Sequence, residues 1–137
     1  MTYAFEVPGR PQAKQSIRVA RIGGATCVGG IRTYQPAKVV NYHALVATLA
    51  RQAIPTPIEG AVAVHLAVWL RTPASWSKKR KAVLNRATTR PDADNIAKAF
   101  MDGMNGVAWH DDKQVVDLHI TKGYGTRDVV VVSVTEL

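Results

Sequence analysis

The chain has 137 residues, a formal net charge of +8, and 47% hydrophobic against 20% charged residues. This length suits one domain with a real core, and this composition excludes a wholly disordered chain. The single cysteine, Cys27, excludes a disulfide framework and a multi-cysteine zinc site. The longest apolar run is about half a membrane span, and the N-terminus lacks a signal-peptide pattern. We therefore expect a single domain over residues 1–137, soluble and cytoplasmic, with a polyanionic partner.

The acidic residues are unevenly distributed along the chain. Six of the ten lie between Asp92 and Asp117, a range we call the acidic segment. This segment holds two lysines and a net charge of −4, whereas the remainder has sixteen Lys and Arg against four acids, or +12. A divalent cation held next to a polyanion would account for an acidic segment in a basic chain.

The N-terminal half predicts two strands, a basic hairpin and a helix. Residues 2–7 alternate as in a strand, and residues 10–35 contain paired glycines and arginines typical of an irregular hairpin or basic arm. After Pro36, an apolar stripe predicts a helix to about residue 53. The stripe consists of Val39, Tyr42, Val46 and Leu49. Residues 61–71 are apolar at both alternations, which predicts a central strand with His65 packed in the core.

The C-terminal half predicts two helices and two strands. Ser77 is a candidate N-cap for a short helix over about residues 78–85. A second helix is expected from residues 92–94 to the turn at residues 105–106, with one apolar face. That face comprises Ile96, Ala97, Phe100, Met101 and Met104. A loop at residues 109–112, a strand at 114–121, a turn at 123–125 and a strand at 129–134 complete the chain.

The carboxylates have both an ordinary and a chemical interpretation. Asp92 and Asp94 would suit a helix N-terminus, and Asp111 with Asp112 would suit a polar turn. If the helix and turn brought these pairs together, their mutual repulsion would favour a hard divalent cation. Such a site suits phosphodiester hydrolysis, in which a metal activates water and neutralises developing charge. Lys98 then either binds the phosphate or forms an ordinary ion pair with a neighbouring aspartate.

Two linked motifs make the acidic segment resemble the RusA family of Holliday-junction resolvases, which are phage and prophage endodeoxyribonucleases. The first motif is Arg90-Pro91-Asp92-x-Asp94-Asn95-x-x-Lys98-x-x-x-Asp102-x-x-Asn105. The second is Trp109-x-Asp111-Asp112-x-Gln114-Val115-Val116. An N-terminal Gly9-x-Pro11-x-x-Lys14 pattern and the order of the flanking elements are also similar, so the resemblance covers most of the chain.

The resemblance implies a small α+β domain, with helices packed on a mixed β-sheet, that forms a homodimer. It implies Mg²⁺-dependent paired incision of four-way DNA junctions in recombination and repair, in a bacterial host. Asp92, Asp94 and Asp112 correspond to the metal-binding and catalytic acids, and Lys98 to the catalytic lysine; Asp111 is a further candidate ligand. Mn²⁺ is expected to substitute for Mg²⁺, and no small-molecule cofactor or membrane is expected.

The basic residues outside the acidic segment are the candidates for DNA contacts. They are Lys14, Arg18, Arg21, Arg32, Lys78, Lys79, Arg80, Lys81 and Arg90. Trp76 either stacks on an unpaired base or is simply buried. A basic DNA-binding protein without catalysis is the main alternative function. A nucleotide-sugar transferase is disfavoured because the chain is too short for nucleotide and acceptor domains.

Overall fold

The computed structural model describes residues 1–12, 18–22, 30–34, 37–83 and 85–137. Lys14 therefore lies outside the described residues, and β2 and β3 are described by their backbone. The elements are β1 (Thr2–Pro8), β2 (Arg18–Ile22), β3 (Gly30–Tyr34), α1 (Ala37–Ala53), β4 (Val62–Arg71), α2 (Lys78–Val83), α3 (Ala93–Met104), β5 (Val115–Gly125) and β6 (Val129–Glu136), with a 3₁₀ turn at Asp112–Gln114 before β5. The predicted α+β class is confirmed.

Four strands form a mixed sheet in the order β1-β6-β4-β5, and β2 pairs with β3 in a separate antiparallel ribbon. β4 and β5 are parallel, while β4–β6 and β1–β6 are antiparallel. Two parallel neighbours cannot be joined by a tight turn, so the connection must cross over the sheet. α3 lies in that crossover, and its two ends therefore lie near the two ends of β5.

The sheet buries one face, not both. Alternate residues of β4 are buried in the same core as residues of α1 and α3. The buried residues of β4 are Val62, Val64, Leu66, Val68 and Leu70. On the opposite face Ala63 and Ala67 are half-buried and His65 is exposed. The prediction of a core histidine is wrong, because Ala63 and Ala67 make this face apolar in sequence while no described element covers it. The His65 ring packs edge-to-face against His119, with centroids 4.9 Å apart.

α1 and α3 pack closely through the predicted apolar faces. Ile96, Phe100 and Met104 are fully buried, as their spacing predicts. A Cβ at Gly103 would lie 2.9 Å from Cγ1 of Val46, so the helices can approach this closely only with glycine there. Tyr42 packs edge-to-face on Phe100, with ring centroids 5.8 Å apart. This packing fixes α3 with its polar side turned outward.

The turn predicted at residues 123–125 is wrong, because β5 continues to Gly125. Gly123 is required for packing instead of for turning. A Cβ at this position would lie 2.8 Å from Cζ3 of Trp69 and 3.0 Å from the carbonyl oxygen of Asn85. The segment after α2 can therefore lie directly against β5. Among the described helices, none has the length and apolarity needed to cross a bilayer.

Candidate active site

Asp92 and Asp94 lie at the N-terminus of α3 with exposed side chains. Asp92 occupies the N-cap position, yet its carboxylate makes no capping hydrogen bond. Neither carboxylate forms an ion pair with another described residue. The Asp92 side chain therefore does not perform the capping that is usual for an aspartate at the start of a helix. Both carboxylates are available to a ligand from solution.

The backbone before α3 is held by two long side chains. Arg10 Nη2 donates to the carbonyl oxygen of Arg90 at 2.6 Å, and Lys122 Nζ donates to that of Thr89 at 2.6 Å. The Ala87 N–H also donates to the carbonyl oxygen of Lys122 at 3.2 Å. Since Lys122 lies near the C-terminal end of β5, these bonds fix the start of α3 at that end of the sheet.

Lys98 lies one helical turn after Asp94, about 6 Å along the axis, and is exposed. The sequence left open an ion pair of Lys98 with Asp94 or Asp102, but Lys98 forms no ion pair in the described part of the chain. The ammonium group therefore stands on the polar side of α3 with no carboxylate partner among the described residues. It is suited to bind a phosphate oxygen beside the two aspartates.

Asp112 is oriented by a buried tryptophan. Trp109 is fully buried, and its indole Nε1 donates a 2.9 Å hydrogen bond to Oδ1 of Asp112. Asp111 has a different task, because its side chain accepts the Lys113 N–H at 3.0 Å and caps the 3₁₀ turn. Of the two neighbouring acids, Asp112 is half-buried with one oxygen held in place, and Asp111 shapes the turn.

Gln114 joins this loop to the segment before β4. Its Oε1 accepts the backbone N–H groups of His110 at 2.8 Å and Asp111 at 2.9 Å. Its Nε2 donates to the carbonyl oxygens of Ile58 at 2.7 Å and Gly60 at 2.9 Å. Four hydrogen bonds from one amide therefore fix the loop that carries Asp112.

The two groups of acids lie at opposite ends of α3. Its 12 residues span about 18 Å. Asn105, which follows α3, bridges to Trp109, the residue that bonds Asp112. Along β5, seven residues separate Val115 from Lys122, or roughly 23 Å. The loop therefore does not return to the start of the helix, and the condition under which one chain would bring the two acid pairs together is not met.

In agreement with this separation, the described residues contain no cluster of three or more His, Cys, Asp or Glu placed to hold a metal ion. Within one chain, Asp92 and Asp94 are neighbours and Asp112 is remote from them. Asp102, which is not among the candidate site residues, is half-buried on α3.

The candidate DNA-contacting residues lie on several elements. Arg18 and Arg21 are in β2 and Arg32 is in β3. The four consecutive cations at residues 78–81 form most of α2 and are all exposed, as is Arg90. Ser77 caps α2 as predicted, accepting the Arg80 N–H at 3.2 Å.

Sequence reasoning missed the positioning roles of Trp109 and Gln114. Both residues belong to the second motif, at fixed spacing from Asp112, so the motif itself was the available signal. Gln114 also bonds to Ile58 and Gly60, more than fifty residues earlier in the chain, and a local pattern cannot reveal those contacts.

The α+β fold presents the exposed residues Asp92, Asp94 and Lys98 on α3, and the preceding helix α2 consists mostly of exposed cations. The family model described as endodeoxyribonuclease RusA matches residues 8–135. The chain is also 36% identical, over 140 residues, to the uncharacterized protein YqaN of Bacillus subtilis strain 168, covering 97% of this chain and 95% of that protein. The chain belongs to the RusA family of endodeoxyribonucleases, and this family membership implies a nuclease that resolves Holliday junctions.

Proposed function

We propose that this protein is a Mg²⁺-dependent resolvase that makes paired, symmetric incisions in four-way DNA junctions during recombination and repair in the cytoplasm of a bacterial host. The observation that carries the proposal is the start of α3. Asp92, Asp94 and Lys98 are exposed there, and the Asp92 side chain makes no capping hydrogen bond although it occupies the N-cap position. Membership of the RusA family supports the reaction class.

The donor set fits a hard divalent cation. Asp92, Asp94 and Asp112 offer carboxylate oxygens, which Mg²⁺ prefers and Mn²⁺ also accepts. Asp112 has one oxygen bonded to Trp109 and the other available. When bound, Mg²⁺ would lower the pKa of a water molecule and neutralise charge on the phosphate. Lys98 binds a phosphate oxygen of the strand to be cut and orients it towards the carboxylates.

The separation of the acids supports a site shared between two copies of the chain. In a two-fold dimer, Asp112 of each copy can lie beside Asp92 and Asp94 of the other, although the two groups are remote within one chain. Such a dimer would contain two equivalent sites. A four-way junction also has two-fold symmetry, so two related sites match the two opposed strands that must be cut.

The outer edge of β5 is the surface that fits this arrangement. No described strand pairs with this edge over residues 115–121. Beyond it, Lys122 and Tyr124 are already bonded to the segment at Asn85 and Ala87. Val116 and Leu118 on the open half are 64% and 44% exposed. An unpaired apolar edge readily accepts another strand.

Antiparallel pairing of β5 with β5 of a second copy follows from this geometry. The pair would centre on Leu118, the midpoint of the open edge. The N-terminal end of each β5, which follows Asp112, would then lie beside the C-terminal end of the other, where Lys122 holds the start of α3. Pairing of the two β5 strands would thus account both for the unpaired edge of β5 and for the distance of Asp112 from Asp92 and Asp94 within one chain.

The deciding experiment is cleavage of a labelled synthetic four-way junction beside a matched linear duplex. The wild-type protein with Mg²⁺ should convert the junction into nicked duplexes and leave the linear duplex intact. Asp94→Asn should bind the junction without cutting it. Failure of the wild type to cut in either Mg²⁺ or Mn²⁺, with binding retained, would instead establish a basic DNA-binding protein without catalysis.

A further inference from the structure

A cavity of about 370 Å³ lies between α2 and the end of β5. Its walls include the rings of Trp76 and Tyr124, the cations Arg80 and Arg86, and Thr89. The two aromatic rings meet edge-to-face with centroids 4.9 Å apart, and each is half-buried. This volume falls within the range of roughly 300–1,000 Å³ that is usual for small-molecule sites.

The chemistry of these walls suits a flat aromatic ring attached to a phosphate chain. The Arg80 guanidinium lies 4.3 Å from the centroid of the Trp76 ring. Aromatic faces stack on nucleobases of any sequence, and arginine adds a cation–π contribution and a phosphate contact. The exposed lysines of α2 continue the positive surface from Arg80. A strand backbone can follow α2 while one base enters the cavity.

The cavity also lies close to the candidate active site. Thr89 is part of its wall, and Asp92 follows three residues later, a chain length of at most about 10 Å. This distance equals roughly three nucleotide rises along one strand of B-DNA. A base held in the cavity would therefore lie within about three nucleotides of a phosphate held at Asp92.

The frame of the cavity is fixed by backbone contacts. The Tyr124 N–H donates to the carbonyl oxygen of Asn85 at 3.1 Å, and Arg86 bridges to Gly123. The Thr89 hydroxyl and the Tyr124 hydroxyl are 3.4 Å apart. These contacts join the cavity to the segment that precedes α3. They therefore fix the distance between the cavity walls and the carboxylates at the start of α3.

We propose that this cavity is a subsite for an unpaired nucleobase of the DNA substrate, close to the phosphate that is cut. The inference rests on the proposed function and adds a reason for selectivity. A base can enter the cavity only if it has left its stack, which is easiest at a branch point and costs several kcal/mol in an intact duplex. The cavity thus favours a junction over linear DNA without reading a sequence.

The test uses a short oligothymidine strand as the probe, in buffer without divalent metal. The chain has three tryptophans, Trp69, Trp76 and Trp109, so each can be replaced singly. Oligothymidine should quench the fluorescence of wild type and of Trp69→Phe, and the quenching should be largely lost in Trp76→Phe. Trp76→Ala should weaken binding by about 5- to 150-fold, the usual value of one base–aromatic stack.

Arg80→Ala gives a second reading that leaves both aromatic rings in place, and it should also weaken binding. Circular dichroism establishes that each variant is folded. The inference is overturned if Trp76→Ala and Arg80→Ala bind oligothymidine as wild type does and quenching persists in Trp76→Phe. Because this measurement needs no cleavage, it separates the two proposals. A protein that quenches but cuts no junction retains the subsite and loses the proposed activity.

Discussion

The indole Nε1 of Trp109 donates a 2.9 Å hydrogen bond to Oδ1 of Asp112, and the indole itself is fully buried. A carboxylate at the surface is thereby held by a group that cannot move without disturbing the core. The bond fixes one oxygen of Asp112 and leaves the second oxygen available. Trp109 is therefore a positioning residue for the acid that stands apart from the α3 pair.

Replacing Trp109 with Phe keeps most of the buried volume and removes the donor. We expect Trp109→Phe to remain folded and to bind a junction with little loss, while cleavage in Mg²⁺ falls by roughly tenfold or more because Asp112 is no longer held. Cleavage rate and junction affinity should be measured together. Equal losses in both would indicate a general structural defect and contradict the positioning role.

Asp111 and Asp112 can be distinguished by a matched pair of asparagine variants. Asparagine caps a turn about as well as aspartate, so Asp111→Asn should retain the turn and most of the cleavage. Asp112→Asn removes the charge of a proposed metal ligand and should abolish Mg²⁺-dependent cleavage. Comparable loss in both variants, at unchanged thermal stability, would make Asp111 a metal ligand as well.

The sequence predicted the elements of the site better than their arrangement. Periodicity placed the buried face of α3, and the motifs singled out Asp92, Asp94, Lys98 and Asp112. Both signals are local, because they depend on side chains within one or two turns. The distance between the acid groups depends instead on the crossover that joins β4 to β5, and no local pattern specifies which end of a strand a loop meets.

The proposed shared site makes a prediction that an intramolecular site does not make. Asp94→Asn and Asp112→Asn homodimers should each be inactive. In a mixed dimer, one site receives both substitutions and the other receives none, so one site works. Mixing the two inactive proteins, with time for subunit exchange, should restore cleavage of one strand and yield nicked junctions. Two inactive proteins that stay inactive when co-expressed as a purified mixed dimer would place each site within one chain.

The proposed strand pairing can be tested by cross-linking at its centre. In an antiparallel pair centred on Leu118, the two Leu118 Cα atoms lie about 4.5–5.5 Å apart, which a disulfide can span. In a Cys27→Ser background, Leu118→Cys should form covalent dimers on mild oxidation. Val116→Cys is the matched control, since its two copies would lie four residues apart along the strands. Efficient cross-linking of the control alone, or of neither, would reject this register.

Tyr42 offers a test of the packing between α1 and α3. Its hydroxyl is buried and has no hydrogen-bond partner among the described residues, and burial raises the pKa of the phenol above its ordinary value. An unsatisfied buried hydroxyl costs about 1–3 kcal/mol, so Tyr42→Phe should increase the free energy of unfolding by about 1 kcal/mol. Urea denaturation near neutral pH measures this gain.

The stability difference between Tyr42→Phe and the wild type should also depend on pH, and the raised pKa of Tyr42 gives the sign of that dependence. Because the folded-state pKa is raised, the contribution of neutral Tyr42 to stability is present below pH about 10, the ordinary tyrosine value, and is lost as the pH rises further. At pH about 11, the phenol of Tyr42 is ionised in the unfolded wild type and neutral in the folded protein. The free energy of unfolding of the wild type therefore falls by about 1.4 kcal/mol, whereas that of Tyr42→Phe does not. The stability difference between the two proteins should therefore widen above pH about 10. A constant difference across that range would mean that Tyr42 ionises equally well in the folded protein, and that the contact with Phe100 does not exclude water.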